Sequence, residues 1–449
     1  MHARRRRSPT RQSGRPAGVT PPRIGESRRS LFPLKSYEFV RRVIADWSPE
    51  DVHEGDMFFT NDPWWGALHA NDGILASPIF WEGRLIVWST IVMHDNDVGS
   101  SVPGSWVTGA RERFAEAPLL PGVKIAERFE VRRDIERLYL RNSRTAELNA
   151  LNMRARVAAL KGTHQRVHEL IAQYGLDAFL AAQEGILDNV ERVLRRRLSE
   201  IPDGEWFAKG YLDHDGTANV IYEICCRVTK RGDGLVFDVA GTSSQAPGPI
   251  NCARPALHAA VLGVVLSFLC YDLPWSIGGV RRVTEIVSAP GTLHDAVSPT
   301  ATSMASIMAT LSTQDVVAGV VAAMLLTSER YRSEAQATWS PGVCTGSFAG
   351  VNGDEEYSVT PIGNSFGGGG ARTFTDGTDT GGVLHSRSPH GRRCRAPRRS
   401  PARTAPPRTG GGPPGCTAAP PAPWASARRP TARSASRPRA SARPRGRRS

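Results

Sequence analysis

Two runs of strand-forming residues, Ile74 to Phe80 and Leu85 to Val92, flank the short segment Trp81-Glu82-Gly83. A connection that short leaves antiparallel pairing as the way for both runs to form strands, because parallel neighbours need a crossover of roughly a dozen residues. If the chain reverses at Glu82-Gly83, residues whose numbers sum to about 165 face one another across the hairpin. Asp72 then lies near Met93 and His94, and His69 near Asn96 and Asp97.

This register matters because His-x-x-Asp occurs twice, as His69-Ala70-Asn71-Asp72 and as His94-Asp95-Asn96-Asp97. Both copies fall at the open end of the hairpin, where two imidazoles and several carboxylates converge. Clustered carboxylates repel and are costly to desolvate, and a divalent cation resolves that conflict. Imidazole and carboxylate ligands without thiolate suit Mn, Zn or Fe, and an incomplete protein shell leaves positions for water or substrate. The alternative is a solvated loop pair in which Asp and Asn serve as turn and cap residues.

Around the hairpin the pattern is that of an α+β protein with a central helical region. Ser36 to Asp46 reads as a short helix and Met57 to Thr60 as a strand closed by Asn61-Asp62-Pro63. Thr163 is placed to cap a helix whose apolar stripe is Val167, Leu170, Ile171 and Tyr174, ending at Gly175. Leu176, Phe179, Leu180, Leu187, Val190, Val193 and Leu194 form a second stripe, stopped by Pro202-Asp203-Gly204. Strands are expected within Gly210 to Ala240 and from Val280 to Val287, and buried helices at Ala256 to Tyr271 and Asp315 to Leu326. Both apolar helices fall short of the roughly 20 residues needed to span a bilayer, so no membrane association is expected.

The net charge of +14 points to nucleic acid only until the charges are located. Residues 1–30 carry nine Arg and one Glu, and residues 387–449 carry seventeen Arg with no Lys, Asp or Glu. That leaves 31 basic and 42 acidic residues in 31–386, so the folded part is acidic. From Arg387 onward there is no Leu, Ile, Val, Met, Phe or Tyr, and Trp424 is the one large apolar residue, so no core forms there. The composition is what a high-GC gene read out of frame produces. The other reading is a disordered Arg-rich arm for nucleic acid, for which Lys and interleaved aromatics are also expected. The expected organisation is a basic tail over 1–30, the hairpin and metal-site region over 31–128, a helical region over 129–202, a mixed region over 203–386, and the Arg/Pro/Ala-rich tail over 387–449. Seven cysteines without CxxC spacing, and a basic start with no apolar stretch behind it, fit a reduced, cytoplasmic protein.

A second motif, Phe237-Asp238-Val239-Ala240-Gly241-Thr242-Ser243-Ser244-Gln245 followed by Gly248-Pro249-Ile250-Asn251-Cys252, is a strand entering a polar, turn-rich loop before a helix. Asp238, Thr242, Gln245 and Asn251 either hold a substrate or turn a corner. Cys252 has no histidine predicted beside it, so a buried structural thiol is the reading for it rather than a nucleophile. Ser365 to Arg372 is glycine-rich but lacks the Gly-Lys-Ser/Thr of a phosphate loop. Arg372 remains a candidate to bind a carboxylate or a partner subunit. No individual catalytic acid, base or nucleophile is assigned.

Taken in order, Gly55-Asp56, Asn61-Asp62-Pro63, the two His-x-x-Asp elements, Asp97-Val98-Gly99 and Pro103-Gly104-Ser105 resemble the hydantoinase B/oxoprolinase family. Glu116 before Leu119-Leu120-Pro121, Asn142-x-Arg144-Thr145, Asp238 to Gln245, Gly248 to Cys252 and Phe366 to Gly377 extend the resemblance over residues 37–384. Asn61-Asp62-Pro63-Trp64 and the single-His form of His94-Asp95-Asn96-Asp97 look most like acetone or acetophenone carboxylase subunits. Many relatives carry a further His where Asp95 stands here, and a second glycine where Ser100 stands.

The resemblance implies a metal-bearing B-type or alpha subunit of an ATP-dependent hydantoinase, 5-oxoprolinase or acetone carboxylase-like enzyme, acting on a cyclic amide or a ketone. ATP would be used by a partner of the hydantoinase A type or acetone carboxylase beta type, in an obligate hetero-oligomer. Carried onto matching positions, His94 and Asp97 lead the metal ligands, followed by His69 and Asp72, then Asp62 and Glu116, with Mn preferred over Zn or Fe. The family normally has a further N-terminal region and ordered sequence after Leu384, so the resemblance also implies a truncated chain and an activity that truncation can abolish. The other class of function is a noncatalytic remnant whose Arg-rich tail binds nucleic acid.

Overall fold

The computed structural model describes residues 23–24, 32–338, 343–351, 357–366 and 370–377. Most of the two expected tails, and the glycines at 367–369, lie outside these residues. Of the segment 1–30, only strand β1 (Arg23–Ile24) is described, pairing in parallel with Val87 and Trp88 of the hairpin.

The first half is built on a six-stranded sheet. After helix α1 (Phe32–Asp46) come strands β2 (Met57–Thr60), β3 (Asp72–Trp81), β4 (Arg84–His94), β5 (Val123–Glu127) and β6 (Glu130–Val131). The sheet order is β1-β4-β3-β2-β5-β6. The hairpin of β3 and β4 turns on two residues, Glu82 at φ 50° and Gly83 at φ 76°. Positive φ at both central positions is the primed turn whose twist matches the strands it joins.

Alternation along β3 sorts side chains to two covered faces. Ile74 and Ala76 pack with Phe58, Trp88 and, from α1, Phe39, Val40 and Val43. Leu75 packs on the other side with Phe59 and Met57, against Met153, Val157 and Leu160. Those last three lie on helix α3 (Ala146–Tyr174), which follows helix α2 (Arg133–Arg141) and precedes α4 (Leu176–Ser199). Helix α3 is longer than expected, because Thr163 does not cap it. Its hydroxyl turns back to the Ala159 carbonyl at 2.9 Å inside a continuous helix. Gly175, at φ 84°, makes the break before α4.

The second half carries a four-stranded sheet in the order β10-β9-β8-β7, from β7 (Gly204–Leu212), β8 (Tyr222–Arg231), β9 (Gly234–Asp238) and β10 (Thr284–Val287). Strand β10 is shorter than the expected Val280 to Val287 because residues Ile277–Arg281 form a short helix α6, capped by the Ser276 side chain on Gly279 N–H. Helix α5 (Arg254–Leu269) and helix α7 (Ala309–Leu326) fill the core over this sheet. α7 is long and apolar enough to cross a membrane by length and composition, but 78% of it is buried within the protein, which makes it a core helix. A final antiparallel pair, β11 (Val343–Val351) with β12 (Tyr357–Phe366), follows. The result is an α+β architecture, with helices and strands mixed as the sequence implied.

One buried ion pair ties α3 to the hairpin. Asp95, immediately after β4, and Arg156 are both fully buried and meet at 2.8 Å. Asp95 also accepts from the Tyr139 hydroxyl at 2.5 Å and the Asn152 amide at 2.8 Å. Arg156 further donates to the Met93 carbonyl at 2.9 Å. Gly73 makes room for this guanidinium, since a Cβ there would stand 2.9 Å from an Arg156 nitrogen and 2.8 Å from the Phe59 ring. Removing one member of a buried pair leaves the other charge unpaired, at a cost of about 3 to 5 kcal/mol. Arg156→Met is therefore expected to lower the urea unfolding free energy by about that amount, and a loss under ~1 kcal/mol would show that Asp95 does not depend on it.

Candidate metal centre

The hairpin delivers the expected convergence at its open end. Asp72 begins β3, His94 ends β4, and the two are direct cross-strand partners. His69 sits in the preceding turn, its carbonyl accepting the Asp72 N–H at 3.0 Å. The Asp72 Oδ1 lies 3.2 Å from His94 Nδ1 and 3.7 Å from His69 Nε2. The two imidazole rings are 5.0 Å apart, centre to centre, and the Trp106 indole stands edge-on to His69 at 5.3 Å. Two neighbouring contacts hold this end closed. Asp95 N–H donates to the Asn71 carbonyl at 2.8 Å, and the Asn71 amide donates to the Asp95 carbonyl at 2.9 Å.

His69, Asp72 and His94 each bring one ligand atom to within 4.8 Å of the others. Ligand atoms sharing one ion at bonds of about 2 Å lie roughly 3 to 3.5 Å apart, so the donor set fits a divalent ion with a small adjustment of His69. Two imidazoles and one carboxylate leave coordination positions open, as catalytic sites do. Burial is graded: the side chains of His69 and Asp72 are 2% and 5% exposed, whereas that of His94 is 41% exposed. Access to the cluster is therefore from the His94 side.

The other expected ligands are not part of this group, each for a visible reason. Asp97 is fully buried but consumed by its own loop. One oxygen accepts from Gly99 N–H at 3.1 Å and Arg144 N–H at 3.0 Å. The other accepts from Gly104 N–H at 2.9 Å and the Arg144 guanidinium at 3.0 Å. It shapes the 97–105 loop, in which Ser100 adopts φ 90°, a conformation that favours glycine. Asp62 caps the turn at Trp64, accepting its N–H at 2.8 Å, and burial pushes its carboxyl above the usual range. Glu116 receives the backbone N–H groups of Thr302 at 2.8 Å and Ser303 at 2.6 Å. Burial outweighs those bonds and pushes its carboxyl upward too. Glu116 is a brace to the 302–303 segment of the second half.

The expected substrate contacts are likewise mostly committed to the fold. Asn251 is fully buried, its amide donating to Ala246, Gly248 and Ala301 carbonyls while its oxygen accepts from Ala246 N–H at 2.6 Å. Thr242 accepts the Cys225 N–H at 3.2 Å, and Gln245 accepts the Val297 N–H at 2.9 Å. Asp238, exposed at the end of β9, accepts only the local Ala240 N–H at 3.0 Å among the described residues. Arg372 is half-buried, bridging by its backbone to Gln336 and Thr375, with its guanidinium 3.9 Å from Glu334. The sequence reading missed Trp106 and the Arg156–Asp95 pair. No local pattern marks a tryptophan that packs on residues 12 and more positions away.

Cys252 is fully buried, and burial pushes its thiol up to about 12. The described cysteines Cys225, Cys226, Cys252 and Cys270 are free and buried. At pH 8 the native chain should therefore resist alkylation at Cys252 until it unfolds, as read by peptide mass spectrometry. Labelling at the rate of an exposed thiol would contradict this burial.

Comparison with known proteins gives a consistent picture. The sequence profile described as Hydantoinase B/oxoprolinase matches residues 32–389. Caprolactamase subunit beta of Pseudomonas jessenii is 26% identical over 344 residues, covering 76% of this chain and 58% of that protein. The acetophenone carboxylase delta subunit of Aromatoleum aromaticum is 25% identical over 244 residues, covering 54% of this chain and 36% of that protein. Among solved structures, nucleotide-free acetone carboxylase aligns with a TM-score of 0.73 at 22% identity, over 80% of this chain and 49% of that one, which establishes the shared fold. The chain spans about half the length of the curated relatives it matches.

Proposed function

The chain belongs to the hydantoinase B/oxoprolinase family, and from that premise we propose that it is the metal-bearing subunit of an ATP-dependent enzyme acting on a cyclic amide or a ketone. The observation that carries this reading is the His69, Asp72 and His94 cluster at the open end of the hairpin. A divalent ion held there, Mn in preference to Zn or Fe, would supply Lewis-acid polarisation of a substrate carbonyl and stabilise negative charge developing on its oxygen.

The chain's own residues account for the rest of the site's design. The Asp72 carboxylate lies between both imidazoles, 3.2 Å from His94 Nδ1 and 3.7 Å from His69 Nε2, with His94 at the accessible edge. His69, buried, and the half-buried Trp106, edge-on to it at 5.3 Å, form the inner side of the cluster. Asp238 and Arg372 are the polar side chains least committed to the fold among the five substrate candidates, and one of them would recognise the substrate's polar end. ATP would be consumed on a partner subunit of the hydantoinase A or acetone carboxylase beta type. Relatives named as subunits of multi-component enzymes support the existence of a partner subunit. A cytoplasmic location is part of the same proposal. Amide opening and ketone carboxylation need the same carbonyl polarisation, so bicarbonate dependence separates them.

The test is turnover by the full chain coexpressed with such a partner. Asp72→Asn and His94→Ala are each expected to lower ATP-dependent turnover at least roughly 100-fold while leaving the complex assembled. Full activity in either folded variant would overturn the reading.

A further inference from the structure

A second group of ligand-type side chains stands apart from the first. His164 and His168 are one turn apart on α3, and Glu54 reaches them from the turn before β2. All three offer a ligand atom within 4.8 Å of the others. The imidazoles stack at 4.3 Å and 28°, and each is walled by a further ring, His164 by Phe129 at 5.0 Å and His168 by Trp81 at 5.2 Å. From the geometry of these three residues we infer a second divalent transition-metal site, of the zinc type, that clamps α3 to the turn-bearing end of the sheet.

Three features argue for an ion rather than a simple ion pair. First, His164 Nε2 and Glu54 Oε1 are 2.9 Å apart, yet this buried nitrogen has no aligned hydrogen bond. A short but misaligned contact is what two ligands of one ion show, because each lone pair points at the metal and not at the other ligand. With bonds of about 2 Å, ligand atoms sharing one ion lie roughly 3 to 3.5 Å apart, which this 2.9 Å contact reaches with a small opening. Second, His168 faces the same carboxylate oxygen, its Nε2 3.8 Å from Glu54 Oε1, and its ring is held in place by a 2.8 Å contact of that nitrogen with the Phe80 carbonyl oxygen. Third, two histidines four apart on one helical face are a recurring metal clip, completed here by a carboxylate from a distant segment.

Glu54 is 49% exposed and the His168 side chain 33%, so an ion can enter from solvent and keep water in its remaining position. This site shares no residue with the His69, Asp72 and His94 cluster, and the inference does not depend on the proposed activity.

The experiment is equilibrium dialysis of the full chain against buffered Zn2+ at pH 7.5, with stoichiometry read by elemental analysis. His164→Gln/His168→Gln is expected to lose one Zn2+ equivalent relative to wild type, and Glu54→Gln to weaken that equivalent at least tenfold. Asp72→Asn/His94→Ala should leave this equivalent in place, whatever becomes of the first cluster. Zn2+ should also raise the Tm of wild type by more than that of His164→Gln/His168→Gln. An unchanged stoichiometry in the folded histidine variant, or unchanged affinity in Glu54→Gln, would overturn the inference and leave a Glu54 ion pair only. Should the histidine variant fail to fold, the half-exposed Glu54→Gln decides alone.

Discussion

The register of one hairpin decides which side chains meet at its open end. Strands β3 and β4 pair over their whole length from a two-residue turn, and the pairing ends with Asp72 opposite His94. Because side chains alternate at every residue, a slip of one position would send every core residue of β3 to the wrong face. Both faces are covered, by α1 on one side and α3 on the other, so such a slip is heavily penalised. Packing on the two covered faces thus fixes where Asp72 and His94 meet.

The buried Asp95–Arg156 pair extends that control beyond the strands. It anchors the residue after His94 to α3, while Asp97 and Arg144 lock the following loop. Acidic residues around His94 therefore divide into two kinds. Asp95 and Asp97 are structural, satisfied by cations and N–H groups, whereas Asp72 sits between two imidazoles.

Much of this was legible from residue patterns. The strands, their turn at Glu82-Gly83 and the meeting of Asp72 with His94 follow from alternation and spacing, and the observed partners from Asp72 to Ile79 sum to 166, with a register shift at Ile79 and Phe80. The partners of Asp97 were not legible in the pattern, because a carboxylate's partners depend on tertiary contacts such as Arg144, 47 positions away. Asn251 and Thr242 show the same dependence: their bonds to the loop's own backbone are set by the fold and not by the residue pattern. Thr163 shows the local version of this problem, a capping residue type absorbed into a longer helix. The His164-x-x-x-His168 spacing was visible in sequence, but its third member, Glu54, is brought in only by the fold.

The central claim is that the hairpin's open end holds a divalent ion, and anomalous diffraction from crystals grown with Mn2+ tests it most directly. The account predicts a peak at bonding distance from His69 Nε2, Asp72 Oδ1 and His94 Nδ1. A well-ordered cluster with no peak there, at saturating Mn2+ and likewise with Zn2+ or Fe2+, would contradict it.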